Sequence, residues 1–159
     1  MTIKIRPALN KDRVILIQLL KNTPEFKPYE VTVATEVIVS YLKDPENSGY
    51  YTLVAEDGTG IIGYICYGPT PLTEGTWDLY WEAVSREKQG KGIGSALIDA
   101  AEKQIKKAKG RLAIIETSST PAYEKTRHFH HKNGYNEIAR IPDFYSPGDD
   151  KVILQKLLK

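Results

Sequence analysis

The 159-residue sequence predicts an α/β fold (an α+β mixed sheet), with seven strands and four helices packed on them. Two observations predict the class and a third places the site. Apolar residues recur at helical spacing in four segments and fall into short β-branched or aromatic runs in seven others. The two kinds interleave in the order β-α-α-β-β-β-α-β-α-β-β instead of segregating. The third observation is "REKQGKGIGSAL" (86–97), with three glycines in five residues between a strand and a long helix.

The elements follow in order. "TIKIR" (2–6) alternates and ends at Pro7, the pattern of a short first strand. "NKDRVILIQLLKN" carries Ile15, Leu16, Leu19 and Leu20 as an apolar helical stripe, with Asn10 expected as its cap. Two prolines make "TPEFKP" a loop. "YEVTVATEVIVSYLKD" (29–44) is rich in β-branched residues, but its length favours a helix stopped by "DPENSG". "YYTLVAE" (50–56), the turn "DGTG" and "IIGYICYG" (61–68) form a hairpin, and "TWDLYWEAV" (76–84) is the fourth strand. A helix runs from Ile93, with Gly110 expected as its C-terminal cap. "RLAIIET" (111–117) is a strand, and "STPAYEKTRHFHHKNG" (119–134) a helix with Pro121 in its first turn. "YNEIARI" (135–141) and "KVILQKLL" (151–158) are strands joined by the loop "PDFYSPGDD".

There are no repeats or linkers, so residues 1–159 read as a single domain. No apolar run approaches the roughly 18 residues of a membrane span. The start "MTIKIRPALN" lacks the pattern of a signal peptide, which points to a cytoplasmic protein. The lone Cys66 excludes an intramolecular disulfide and reads as an inert strand thiol. A net charge of +2 is too balanced to imply nucleic acid, and the basic cluster "KQIKKAKGR" (103–111) reads as a solvated helix end. His128 and His131 lie three apart on a helix, but nothing nearby completes a metal-ligand set, so no metal is expected.

The glycine loop suits an anion. Glycines 90, 92 and 94 let backbone N–H groups approach closely beside the positive end of a helix dipole, and Lys91 and Ser95 add donors. A pyrophosphate is the natural occupant. Neither G-x-x-x-x-G-K-[ST] nor G-x-G-x-x-G is matched.

What is matched is Gln-x-x-Gly-x-Gly, at Gln89, Gly92 and Gly94. "AVSREKQGKGIGSALIDAAEK" resembles the acetyl-CoA motif of the GNAT superfamily of N-acetyltransferases, and "RHFHHKNGYNEIARI" resembles its second motif. The resemblance covers nearly the whole chain. It implies a mostly antiparallel seven-stranded sheet that splays into a V between strands four and five. It implies acetyl-CoA as cosubstrate, with the pantetheine arm paired to Ala83, Val84 and Ser85. The pyrophosphate would lie on Gln89, Gly90, Lys91, Gly92, Ile93, Gly94 and Ser95. Tyr123 stands where many members place an asparagine on the pantetheine. Transfer in the family usually goes directly from acetyl-CoA to an amine.

That chemistry needs a base for the amine, donors for the oxyanion and an acid for the thiolate. Asp78 and Glu82 are the candidate bases, expected with residue 80 on one face of the fourth strand, opposite Trp77, Leu79 and Trp81. Asp78 aligns with a catalytic glutamate of some histone-acetylating members, and Glu116 is a third candidate. The second motif places its acid, usually a tyrosine, at His130; Tyr123, Tyr145 or no protein acid are the alternatives. The family architecture brings the acceptor to "TPEFKPYE" and "PDFYSPGDD". Asp143, Asp149 and Asp150 beside Phe144 and Tyr145 would suit a cationic amine, or the segment is an ordinary turn. The rival to an N-acetyltransferase is an acyl-CoA-binding sensor or regulatory module. A homodimer through the final strand edge is left open.

Overall fold

A computed structural model describes residues 2–159. The elements are β1 (Lys4–Pro7), α1 (Arg13–Lys21), α2 (Pro28–Lys43), β2 (Tyr51–Asp57), β3 (Gly60–Pro69), β4 (Thr76–Val84), α3 (Ile93–Lys107), β5 (Leu112–Ser118), α4 (Glu124–Lys132), β6 (Asn136–Ser146) and β7 (Asp149–Leu157). They build one seven-stranded sheet in the order β1-β2-β3-β4-β5-β7-β6. Every neighbouring pair is antiparallel except β4 and β5, which are parallel. The predicted order and class both hold.

Strand alternation splits the core in two. Val54, Tyr64 and Cys66 face α1 and α2, meeting Leu16, Leu20, Val37 and Ile38. Leu53, Ile65, Tyr67 and Leu79 face the other way, onto Ile93, Leu97, Ile98, Ala101 and Ile105 of α3. The β-branched segment of α2 is helical because Ala34, Val37, Ile38, Tyr41 and Leu42 bury one continuous stripe. Pro28 opens that helix, and Glu30 accepts the Lys27 N–H at 3.3 Å. Burial pushes the Cys66 thiol up to about 12, so it stays a neutral core group.

Three local expectations are corrected. Asn10 does not cap α1: it lies in a 3-10 turn, Asn10–Asp12, and Asp12 does the bonding. The Asp12 carboxylate accepts the Leu9 N–H at 2.8 Å and both Arg6 terminal nitrogens at 2.8 and 3.0 Å. Arg6 also reaches Glu56 of β2, so one guanidinium ties the edge strand, its neighbour and the entry to α1. The segment 142–150 is not a loop, because β6 runs to Ser146, Ser146 pairs with Asp149, and only Pro147-Gly148 turns. Asp143 accepts the Gly148 N–H at 2.8 Å, and Asp150 accepts the Asp143 N–H at 2.9 Å. These two acids brace the hairpin.

Gly110 is not the left-handed cap of α3. Lys109 takes that conformation, at φ +64°, while the Gly110 N–H bonds the Ile105 carbonyl at 2.8 Å and the Lys109 N–H bonds Lys106 at 2.9 Å. Gly110 is required for space, because a Cβ there would collide with Ile105 and stand 2.8 Å from the Trp77 ring. The two positions therefore respond oppositely. Lys109→Gly is expected to raise stability by about 1 kcal/mol by relieving the left-handed backbone. Gly110→Ala is expected to lower it by about 1–3 kcal/mol through overpacking. Urea midpoints of the two variants check both, and equal shifts would contradict the assignment.

Candidate cofactor-binding and active site

The parallel pair at the centre of the sheet is short. β4 and β5 are in register from Thr76↔Leu112 to Leu79↔Ile115, and no further. Beyond that point β4 continues against β3 alone, up to Val84, and β5 continues against β7, up to Ser118. A gap therefore opens between residues 80–84 and 116–118, at the carboxyl ends of two parallel strands, where open α/β sheets place their ligands.

The glycine loop crosses the mouth of this gap. A 3-10 turn, Arg86–Lys88, leads into it, and α3 begins at Ile93. Gly90 and Gly92 sit at φ +77° and +81° with open space where a side chain would stand, so the chain needs glycine there for its backbone. Gly94 is required for a different reason: a Cβ would stand 2.9 Å from both Glu82 and Phe129. The first intrahelical bond of α3 is Ala96 N–H to the Gly92 carbonyl, at 3.0 Å, which leaves the N–H groups of Ile93, Gly94 and Ser95 without helical acceptors. An anion would meet these donors and the positive end of the helix. The approach is pinned by Lys88 on Asp57 at 3.1 Å and by the Gln89 amide, which donates to the Val84 carbonyl at 3.2 Å.

A bulge in β4 corrects the predicted face of the carboxylates. Cys66 pairs with Trp81 and Tyr67 with Leu79, so Tyr80 has no partner and the alternation shifts by one. Glu82, opposite Ile65, consequently faces α3, while Asp78, opposite Gly68, faces the α1–α2 side. Asp78 lies where β4 and β5 are still paired and accepts the Thr70 hydroxyl at 2.6 Å. Glu82 lies along the gap, under the first turn of α3.

Two polar atoms beside the gap are buried and unpartnered: Glu82 Oε2 and His130 Nδ1. Burial raises the Glu82 carboxyl well above the ordinary carboxylate range, and it lowers His130 to about 4, so the imidazole is neutral near pH 7. Phe129 is near both: it and Glu82 crowd the same side of Gly94, and the His130 ring lies 5.4 Å from it. Tyr135, 6.4 Å from the His130 ring, is occupied elsewhere. It donates to Glu102 at 2.8 Å, which also accepts Lys156 at 2.8 and 3.1 Å. The sequence reading missed this network because its members lie 33 and 54 residues apart.

The other candidates are spread around the α1–α2 side. The Tyr123 hydroxyl donates to the Glu25 carbonyl at 2.9 Å, with Glu30 Oε2 at 3.3 Å. Burial pushes the Tyr145 hydroxyl up to about 12, with Glu116, Asp149 and Glu30 adding to the shift. Glu116 is paired with Lys151 at 2.7 Å, and Lys151 lies 4.0 Å over the Phe144 ring. Asp149 accepts the Ser118 hydroxyl at 2.5 Å and is occupied. Among the described residues no group of three or more His, Cys, Asp or Glu could hold a metal ion, and no helix is long and apolar enough to cross a membrane.

Comparison with known proteins matches residues 48–137 to the acetyltransferase (GNAT) domain. The chain is similar over 99% of its length to a crystal structure from Desulfovibrio desulfuricans described as an acetyltransferase of the GNAT family. That likeness has 35% identity and a TM-score of 0.96, and it covers 100% of that chain. A ribosomal-protein-alanine N-acetyltransferase from Brucella melitensis shares the fold at 24% identity and a TM-score of 0.78, with 98% of this chain and 99% of that one covered. The PaiA N-acetyltransferase of Thermoplasma acidophilum, solved in complex with coenzyme A, shares it at 19% identity and a TM-score of 0.78, with 99% of each chain covered. Among curated proteins, none matches.

Glu82 and His130 give opposite pH effects. Glu82, with its value raised, favours the folded state below about 4.5 and loses that contribution as pH rises. His130, lowered from 6.5 to about 4, contributes fully above 6.5 and loses its contribution as pH falls toward 4. Between pH 7.5 and 5 the wild type is expected to lose about 2 kcal/mol more than His130→Phe. Glu82→Gln is expected to decline less than the wild type as pH rises from 5 to 8. Urea titrations at these pH values read both differences, and parallel profiles would refute both shifts.

Proposed function

This chain belongs to the GNAT acetyltransferase family, and on that premise we propose that it moves the acetyl group of acetyl-CoA directly to a primary amine. The observation that carries the reading is the glycine loop, opening α3 over the gap between β4 and β5. The N–H groups of Gln89, Gly90, Lys91, Gly92, Ile93, Gly94 and Ser95 hold the pyrophosphate, with Lys91 adding charge. The pantetheine pairs with Ala83 and Val84 of β4 and with Ser85 just past its end, along the side that β5 leaves open, as an added strand would. Acetyl-CoA supplies a thioester carbonyl for the amine to attack.

Proton handling falls to the two unpartnered groups. Glu82 is partly exposed along the gap and carries a raised value, which suits a base near neutral pH; it accepts the proton of the incoming ammonium through water. His130 is a neutral imidazole whose N–H supports the leaving thiolate. Asp78 ranks behind Glu82, because it stands in the closed part of the strand pair and is bonded to Thr70. Tyr123 is turned toward Glu25 and Glu30, so its part is to shape the acceptor side. The acceptor meets Glu30, which has no ion-pair partner among the described residues and whose charge reaches Tyr145 and Tyr123. A carboxylate among tyrosines favours an amine carrying positive charge.

Acetyl-CoA at about a hundred times its dissociation constant is expected to stabilise the protein by about 2.7 kcal/mol, read as a thermal shift that ATP and NAD do not give. Gly92→Val should weaken that binding at least about tenfold, since a β-branched residue resists φ +81°. With an amine panel, thiol release should depend on the acceptor and fall about tenfold or more in Glu82→Gln. A shift with acetyl-CoA but no acceptor-dependent release for any amine would favour the sensor reading, which the histidine at position 130 also suits.

A further inference from the structure

A cavity of about 690 Å³ lies away from the glycine loop. It opens between β1–β2 and the C-terminal half of α3, and about 14 Å of helix separates Gly94 from Lys103 on its wall. Its volume is that of a small-molecule site.

Its walls combine two chemistries. Tyr41, Tyr51 and Tyr67 supply aromatic surface, with Tyr51 stacked on Tyr67 at 5.6 Å and 5.7 Å from Trp77. Tyr51 is 37% exposed, an aromatic face presented to the opening. Lys103, Lys106 and Lys107 form the rim on α3, and none has an ion-pair partner among the described residues. Arg6 also lines the cavity but is committed to Asp12 and Glu56. No carboxylate residue lines it.

Lysines at a helix C-terminus are ordinarily explained by the helix dipole. That does not explain why three of them rim a cavity walled by tyrosines and free of acids. We propose that this cavity is a second binding site, for a small anion carried on an aromatic or flat apolar body. The anion pairs with Lys103, Lys106 and Lys107, and the body lies against Tyr51 and Tyr67. Carboxylates and phosphates share this chemistry. The site is separate from that of acetyl-CoA, and its occupation does not require the acceptor.

The probe is 1-anilinonaphthalene-8-sulfonate, whose fluorescence reports transfer of its rings from water to an apolar site. The wild type should bind one equivalent saturably, and saturating acetyl-CoA should leave the titration unchanged. The double variant Lys103→Glu/Lys107→Glu alters exposed side chains only and should weaken binding about tenfold or more. Tyr51→Ala should weaken it as well. 4-Hydroxybenzoate and phenyl phosphate, used as competitors, show whether carboxylate or phosphate is preferred, and neutral phenol should compete poorly. Titrations unchanged by the charge reversal, displacement by acetyl-CoA, or equal competition by phenol would each overturn the proposal. An acetyl-CoA thermal shift on the same protein is read separately, so failure of either site leaves the other standing.

Discussion

The structure depends on an incomplete strand pair. β4 and β5 are joined from Thr76↔Leu112 to Leu79↔Ile115, and their carboxyl halves then belong to different partners. A sheet that zipped fully would leave no room for a ligand arm. A sheet that did not zip at all would lose the parallel crossover that carries α3 across one face. Because α3 bridges the end of β4 to the start of β5, the partial pairing fixes where its N-terminus sits, and so where an anion meets free N–H groups.

Each lip of the gap has its own anchor. β5 is held by a full ladder to β7 and by Arg127 of α4, which donates to the Ser118 and Thr120 carbonyls at 2.8 and 2.9 Å. β4 is held by β3, but with the Tyr80 bulge, which strengthens local twist and turns Glu82 toward α3. The bulge thus parts the two candidate carboxylates. Without it, Glu82 would share the face of Asp78, and the space below Gly94 would be filled from elsewhere.

Legibility in the sequence followed the range of the interactions. Element order, the long α2 and the glycine loop were readable because periodicity and local turn chemistry decide them. The shared face of Asp78 and Glu82 was misread because a bulge is a property of two strands, and its signal lies in how β3 and β4 twist together. Gly110 looked like a cap because glycine usually supplies the left-handed residue, yet the chain spends Lys109 there and keeps glycine where Trp77 and Ile105 leave no volume. The acids of 142–150 read either as a site for a cationic amine or as an ordinary turn at Pro147-Gly148; the turn is there, and Asp143 and Asp150 accept backbone N–H groups across it. The place of the glycine loop between β4 and α3 was legible from spacing, whereas the raised carboxyl of Glu82 and the lowered imidazole of His130 arise only from burial by distant segments.

The contrast between two buried acids on the same side of the sheet bears on function. Glu102 accepts Tyr135 and Lys156 at close range, so its charge is balanced and its position is explained by stability. Glu82 has a buried oxygen with no donor, and His130 a nitrogen in the same condition, so each carries a desolvation cost that no protein partner offsets. Apolar residues of similar shape would pack there without desolvating a polar group. The same face that satisfies Glu102 so fully leaves these two atoms open beside the gap. Unmet polar atoms of this kind beside a ligand gap are open to a group that binds there, and that is where function, and not folding, selects the residue.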